Sequence, residues 1–250
     1  MVHTMINCVS VEMMRISDRK TIERGTSAKE LIARAASAVY QSVKWHGKIA
    51  IFTGSGNNGA DGYALSIILK KQMFNVTVVH VSERMHGDCA FYASEAEKCG
   101  VEVISFSELI DLHMEYDIIV DCMLGTGFVG DVRSSYYRAI EYINRSSSYV
   151  ICVDINSGMN GDTGEGALVV YSDLTIAIEF VKFGQISECA GKWMKRLICV
   201  SVGIESITED TYVCSDTEWT KLGFSKTQLD VIENGVKYIR SPKWLEVHNT

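Results

Sequence analysis

The sequence predicts an α/β fold in which helices cover both faces of a mostly parallel central sheet. Short apolar runs alternate with helical patterns along most of the chain, and this alternation is typical of a doubly wound sheet. A glycine-rich turn follows the first run, and an aspartate ends each of two later runs, 117–121 and 150–154. Because such sheets bind ligands at the carboxyl ends of their strands, we expect a site at these turns. The 250 residues, 47% of them hydrophobic, are enough for one such domain with a large core.

Two helices are predicted ahead of the first strand. An amphipathic pattern covers residues 11–24, and Ser27 with Glu30 forms a capping-box pattern before a second helix, whose apolar stripe runs from Leu31 to Val43. We expect both helices to pack across the sheet or against a partner subunit.

The remaining elements alternate in order. The predicted strands are 48–53, 76–81, 101–106, 117–121, 150–154, 167–170 and 174–178, with 197–202 closing the sheet. The predicted helices run to about residue 71, over 88–98, over 108–113, and to about residue 144. From residue 205 the pattern weakens, which predicts a main domain over 1–204 and a C-terminal extension over 205–250 packed on it.

Composition excludes several classes of protein. The net charge of −7 without a basic run argues against nucleic acid as a partner. No apolar run approaches the ~20 residues of a membrane span, and the first residues lack a signal-peptide pattern, so we expect no membrane partner. The eight cysteines form no CxxC pair, which favours a reducing cytoplasm over a disulfide framework or a zinc site.

The glycine-rich turn has the GxGxxG spacing, with Gly54, Gly56 and Gly59 between a strand and a helix. Glycines let the backbone approach a ligand closely, and the following helix directs free N–H groups at a phosphate. Asn57, Asn58 and Asp61 add two amides and a carboxylate that a plain dinucleotide loop does not need. They could instead fill turn positions and cap the helix. The strand–turn–helix context favours a ligand site.

Asp121 and Asp154 each end an apolar strand and lead into a glycine-rich loop. A buried carboxylate is costly unless it faces water, a cation or hydrogen-bond donors, so two at adjacent strand ends predict a shared site. Asn58, Asp121 and Ser157 offer only oxygen ligands, which suits a hard cation. Lys182 follows a third apolar strand and is either a site residue or a solvated surface lysine.

Four motifs in order, GSGNNGADGY, VDCMLGTGFVGDVR, VDINSGMNGDTG and DLTIAIEFVKFG, resemble the NAD(P)H-hydrate epimerase family, the YjeF N-terminal domain. The resemblance covers roughly residues 10–204. It implies a three-layer Rossmann-like sandwich, commonly a homodimer. It also implies an isomerase that interconverts the R and S epimers of hydrated NADH and NADPH, in partnership with a separate NAD(P)H-hydrate dehydratase.

The resemblance also implies a site. Its potassium ligands fall on Asn58, Asp121 and Ser157. Its substrate contacts fall on Asn57, Asn58, Gly59, Ala60, Asp61, Gly125, Thr126, Gly127, Phe128, Val129, Gly130, Asp131 and Asp154.

The chemistry is a hypothesis. Loss of a hydroxyl beside the ring nitrogen gives a cation, and water returning to the other face gives the other epimer. We predict Asp121 as the catalytic negative charge that stabilises the cation, and Lys182 as the catalytic group that donates the proton or holds the departing water.

The sequence departs from the family pattern at three places. Ala60 stands where the family usually has glycine, Asn156 where it has proline, and Phe180–Val181 where it has Ala-Pro. Ala60 would strain a loop with positive φ, and a lost proline would loosen a strand-end loop. The polar groups that carry the chemistry are all retained, which favours a working epimerase.

Two alternatives stay open at this point. One is a catalytically degenerate binding or dimerisation module of the same family. The other is an ordinary NAD-dependent oxidoreductase, with Glu83 placed to bind a ribose. Against the second, no Tyr–Lys or His–Asp set follows, and Asn57–Asn58 would have no role.

Overall fold

A computed structural model describes residues 7–82, 84–112 and 114–205, together with four short backbone strands in the region 206–250. The strands are β1 (Asn7–Val9), β2 (Lys48–Thr53), β3 (Asn75–His80), β4 (Glu102–Ser105), β5 (Ile118–Cys122), β6 (Tyr149–Val153), β7 (Leu174–Ile178), β8 (Val181–Lys182), β9 (Arg196–Val200), β10 (Tyr212–Val213), β11 (Gln228–Ile232), β12 (Lys237–Ile239) and β13 (Val247–Asn249). The helices are α1 (Val11–Glu23), α2 (Ala28–Gln41), α3 (Asn57–Lys71), α4 (Gly87–Lys98), α5 (Phe106–Leu112) and α6 (Ser134–Arg145).

The central sheet has eight strands in the order β4-β3-β2-β5-β6-β7-β9-β11, and every neighbouring pair is parallel. The chain runs outward from β2 through β3 to β4, then returns to place β5 on the other side of β2. The order therefore reverses between β2 and β5. In a doubly wound sheet this switch point opens a crevice at the carboxyl ends of the strands.

Helices cover both faces of the sheet, as predicted. Ile49 and Ile51 of β2 pack with side chains of α1, α2, α3 and α4 on one face, whereas Ala50 and Phe52 pack with those of α5 and α6 on the other. This alternation follows from the period of two along a strand. Beside β7 and β9 the second face is covered by two 3₁₀ turns, Phe183–Ile186 and Ala190–Lys192. The predicted α/β sandwich with a parallel sheet is confirmed.

Two predicted sheet elements differ in the structure. Residues 167–170 form no strand, because their backbone groups pair with loops and side chains instead. The Asn144 side chain donates to the carbonyl of Val169 at 2.9 Å, and the Val170 amide donates to the carbonyl of Ser157 at 3.1 Å. The predicted strand 197–202 is β9, and it does not close the sheet, because β11 pairs with its outer edge.

A small second sheet has three strands, in which β1 pairs in parallel with β8 and antiparallel with β10. β12 and β13 form a separate antiparallel sheet of two strands. The extension predicted over 205–250 lies, apart from these strand backbones, outside the described residues, so the division at 204 stays a prediction. Within the described residues, no helix combines the length and apolar character that crossing a membrane requires.

Candidate functional site

A cleft of about 650 Å³ lies at the switch point of the sheet. Three strand-end loops contribute to it, those that follow β2, β5 and β6. Helices α1 and α2 close the side away from the sheet. The site predicted from strand ends is therefore a cavity with both polar and apolar walls.

The loop after β2 brings the start of α3 to the cleft. Gly56 is the N-cap of α3 and supplies no side chain, so amides of the first turn have no side-chain cap. The loop approaches the neighbouring one closely, because a Cβ on Gly54 would lie 2.0 Å from the carbonyl oxygen of Met123. Ala60 lies inside α3, is fully buried, and is not among the residues with positive φ. The strain expected at this departure is thus absent.

Asn58 presents a buried amide that is unsatisfied. The residue is 7% exposed, and neither its oxygen nor its nitrogen has a hydrogen-bond partner among the described residues. A Cβ on Gly125 would lie 3.1 Å from both the Cβ of Asn58 and Oδ2 of Asp154. Because unsatisfied buried polar groups are costly, this amide indicates a binding position.

Asp121 lies beneath the cleft and joins two strand ends. Its carboxylate accepts hydrogen bonds from the Ser157 hydroxyl at 2.6 Å and the Ser157 amide at 2.9 Å, and from the Met123 amide at 3.1 Å and the Cys152 thiol at 3.3 Å. Complete burial raises the pKa of Asp121, while these donors act in the opposite direction. Asp121 does not line the cleft. The predicted role of Asp121 as the charge that stabilises the cation stays a prediction.

Lys182 is also fully buried, and it pairs with Asp154. Its ammonium donates to Oδ1 of Asp154 at 2.5 Å and to the carbonyl of Ile178 at 3.0 Å. Asp154 lines the cleft, whereas Lys182 lies behind it. The backbone of Asp154 has φ of 67°, and the Thr126 amide donates to its Oδ2 at 3.3 Å. Lys182 is therefore placed to hold and neutralise Asp154.

Nine of the predicted substrate contacts line the cleft: Asn57, Asn58, Asp61, Gly125, Thr126, Gly127, Phe128, Val129 and Asp154. Gly130 and Asp131 line an adjacent cavity of about 470 Å³, and Phe128 borders both cavities. Gly59 and Ala60 are buried within α3 and face away from the cleft lining. Glu83, the rival ribose contact, lies outside the described residues.

Two charged cleft residues escaped the sequence analysis, Arg15 and Asp18 of α1. The Arg15 guanidinium donates to the carbonyl of Thr126 at 3.1 Å, which ties α1 to the loop after β5. Burial, and next the charge of Asp154, raise the pKa of Asp18 to about 6. The available signal was the spacing of Asp18 four residues after buried Met14, which puts a carboxylate beside the buried face of the helix.

Asn156, the departure from proline, anchors the strand-end loop through its side chain. Its buried amide nitrogen donates to the carbonyl of Val170 at 2.9 Å, to the Ser172 hydroxyl at 3.0 Å and to the carbonyl of Trp193 at 3.3 Å. Its oxygen accepts from the Thr175 hydroxyl at 2.7 Å. The loop is thus held by four hydrogen bonds, and the expected loosening is not found.

Comparisons with known proteins agree with this architecture. A family model described as "YjeF-related protein N-terminus" matches residues 28–184. The crystal structure of the yeast protein ynu0, YNL200c, superposes with a TM-score of 0.67 at 18% identity and covers 83% of this chain and 98% of that one. At this identity the likeness shows the fold alone.

Curated relatives extend the comparison. An NAD(P)H-hydrate epimerase of Rhodopirellula baltica is 30% identical over 72% of this chain and 76% of its own length, and one of Limosilactobacillus fermentum is 28% identical over 76% and 94%. A bifunctional NAD(P)H-hydrate repair enzyme of Coxiella burnetii is 31% identical over 76% of this chain, but the match spans only 40% of that relative. The cleft at the switch point, the family model over most of the sheet and these relatives lead to one conclusion: this chain belongs to the YjeF N-terminal family.

Proposed function

We propose that this protein is an NAD(P)H-hydrate epimerase, an isomerase that interconverts the R and S epimers of hydrated NADH and NADPH in nicotinamide nucleotide repair. The observation that carries the proposal is a single cleft in which nine of the predicted substrate contacts meet, in a chain of the family whose curated members bear this name.

The cleft suits a reduced, hydrated dinucleotide. The uncapped first turn of α3 offers backbone N–H groups to a pyrophosphate. Met14, Leu31 and Ile32 form an apolar wall on the helical side, against which a ring can stack. Asp18, Asp61 and Asp154 bring three carboxyl groups to the cleft, where loss of hydroxyl leaves a cation.

Asp121 and Lys182 act through neighbours in this proposal. Asp121 holds the Ser157 loop against the end of β5, and Lys182 holds the carboxylate of Asp154 at the cleft surface. Removal of either side chain would displace a wall of the cleft. We therefore expect both residues to be required for activity, although neither contacts the nicotinamide ring.

We also propose a potassium site formed by Asn58, Asp121 and Ser157. The unpartnered amide of Asn58 fits a cation ligand, and the oxygen-only set fits a hard cation. When bound, the ion would take the amide oxygen of Asn58 as a ligand.

The potassium proposal has a readout that does not need the substrate. The melting temperature of the wild-type chain is expected to be higher in KCl than in NaCl at equal ionic strength, because a bound ion stabilises the folded state. Asn58→Ala should abolish the difference, and Asn57→Ala, which removes an exposed neighbouring amide, should retain it. A difference that survives in Asn58→Ala would contradict the assignment.

The activity is tested with the hydrate epimer that the dehydratase does not use. Purified dehydratase is supplied in excess, and recovery of reduced nicotinamide is followed with and without this chain. Faster recovery is the expected result. A folded chain in potassium buffer that gives no acceleration would favour the binding-module alternative.

Three further properties belong to the same proposal. The bifunctional relatives are named as repair enzymes that combine two activities, which supports partnership with a separate dehydratase. A homodimer is checked by sedimentation equilibrium. A cytoplasmic location is supported by the eight cysteines of the chain, which form no CxxC pair, and is checked by cell fractionation.

A further inference from the structure

We propose that Asp61 is the general acid of the epimerisation, with Asp18 of α1 as the second carboxyl, which accepts the proton of the incoming water. This inference rests on the proposed function and assigns its proton-transfer steps. The role of Asp18 does not follow from the strand-end motifs, since α1 lies outside the parallel sheet.

Few titratable side chains of the described residues reach the cleft. They are Arg15, Asp18, Asp61, Tyr136 and Asp154. Asp154 is committed to the Lys182 ammonium, and Arg15 donates to the carbonyl of Thr126.

Asp18 and Asp61 are the carboxylates left over. Neither forms a hydrogen bond or ion pair with any described residue, and both border the same cavity. The unpartnered amide of Asn58, 7% exposed, lies in that wall and independently indicates that a ligand completes it. Two free carboxyl groups therefore face the position where the substrate binds.

The surrounding charges favour sharing of a proton. Asp18 faces the carboxylates of Asp154 and Glu179 and the ammonium of Lys182, and Asp61 faces Asp18, Asp154 and Lys182. Burial and then the Asp154 carboxylate raise the pKa of Asp18 to about 6, and the same two causes raise the pKa of Asp61 well above its usual value. Like-charged groups in one desolvated site do not ionise together readily, so one of the pair retains a proton near neutral pH. Because the pKa of Asp18 is raised only to about 6, the carboxyl that retains this proton is Asp61.

The step balances without any further reactant. The Asp61 carboxyl donates its proton to the hydroxyl oxygen of the hydrate, the C–O bond breaks with both electrons going to oxygen, and water leaves. The ring-nitrogen lone pair forms the C=N bond of the cation. Water then adds to the other face, the C=N electrons return to nitrogen, and Asp18 takes the released proton. The reverse direction begins with Asp18 protonated, and exchange with solvent resets the pair.

The test compares Asp18→Asn with the wild-type chain, using one purified epimer and chromatographic separation of the two. The turnover number kcat should fall by about 100-fold or more, the range that a general acid or base contributes, with little change in KM. In the wild type, kcat/KM should fall as pH decreases through about 6, since Asp18 must be ionised to accept a proton. This limb of the pH profile, the change in kcat/KM near pH 6, should be absent in Asp18→Asn. Glu23→Gln, which removes an exposed carboxylate near the end of the same helix, is the matched control and should behave as wild type.

The outcomes separate this inference from the function on which it rests. An inactive wild type overturns both. An active wild type with an Asp18→Asn variant within about threefold of it, or with the limb unchanged, overturns only the role of Asp18. If Asp18→Asn does not fold, Asp18→Glu supplies the measurement: a displaced limb supports the assignment, and an unmoved limb overturns it.

Discussion

Asp18 links the chemistry of a single residue to stability. Its pKa is about 6 in the folded chain and near 3.8 when exposed, because burial and the charge of Asp154 disfavour the carboxylate. The folded state therefore binds more protons than the unfolded state between these values. Its stabilising contribution is full below about pH 3.8 and is lost as pH rises through about 6.

This relation predicts the behaviour of Asp18→Asn. Relative to wild type, the variant should gain unfolding free energy between pH 4 and 6 and keep a constant advantage above that, measured by urea unfolding at each pH. A gain in stability when a functional side chain is replaced is typical of a site at which stability is lowered for the sake of function. A variant less stable than wild type at pH 7 would show instead that Asp18 makes a stabilising contact.

Asn156 gives a second prediction at the residue scale. Asn156→Ala removes four hydrogen bonds from a fully buried position and leaves the carbonyl of Val170 and the Thr175 hydroxyl short of a partner. Each buried group left unsatisfied costs about 1–3 kcal/mol, so urea unfolding should report a loss of about 2–5 kcal/mol. Asn75→Ala, at an exposed position, should change stability by less than about 0.5 kcal/mol. An equally small change in Asn156→Ala would show that the loop does not depend on this amide.

At the scale of an element, Glu179 shapes the segment that follows β9. One carboxylate oxygen accepts the amides of Val202, Gly203 and Ile204 at 2.7, 2.8 and 3.0 Å. Val202 and Ile204 line the cleft, so this carboxylate holds part of the apolar wall in place. The Glu179 carboxylate thus accepts from successive backbone N–H groups, as a bound anion does in a backbone nest.

Glu179→Gln should loosen this wall without removing a group that contacts the substrate. We expect a stability loss of about 1–3 kcal/mol, since three amides lose a charged acceptor, and a hydrogen bond to a charged group contributes about 1.5–3 kcal/mol against about 0.5–1.5 for a neutral one. KM for the hydrate should rise more than kcat falls. Glu188→Gln, at an exposed position, is the control. An unchanged KM would mean that the segment keeps its place without the charge.

The strands also show which parts of the fold can be predicted from the sequence. β2 lies at its predicted residues, because a continuous apolar run bounded by glycine can only be a short buried strand. Residues 167–170 have the same composition, yet no strand forms, since the side chains of Asn144 and Asn156 take their carbonyls. Local pattern cannot reveal hydrogen bonds to residues that lie far away in the chain.

The candidate site was also predictable only in part. The loops after β2, β5 and β6 were predictable, since glycines and carboxylates mark the ends of strands that share one edge. Asp121 and Lys182 are buried against partners 36 and 28 residues away, and Arg15 reaches the carbonyl of Thr126 from 111 residues away. Contacts over these distances left no local signal.

At the scale of the whole molecule, three strand-end loops and α1 surround one cavity. Binding of NADPH hydrate should therefore slow amide hydrogen exchange in α1 (Val11–Glu23) as well as in residues 54–59 and 123–131, because a ligand that contacts all walls suppresses their opening. α5, on the other face of the sheet, should exchange as before and serves as the internal control. Protection confined to the two loops would show that α1 is not a wall of the occupied site.

The position of α1 has a practical consequence for anyone who shortens this chain. The family model begins at residue 28, after α1 has ended, and stops at 184, before Val202 and Ile204. A fragment trimmed to that match keeps the glycine-rich loops but discards Arg15, Asp18 and part of the apolar wall. The functional unit is thus longer than the region by which its family is recognised.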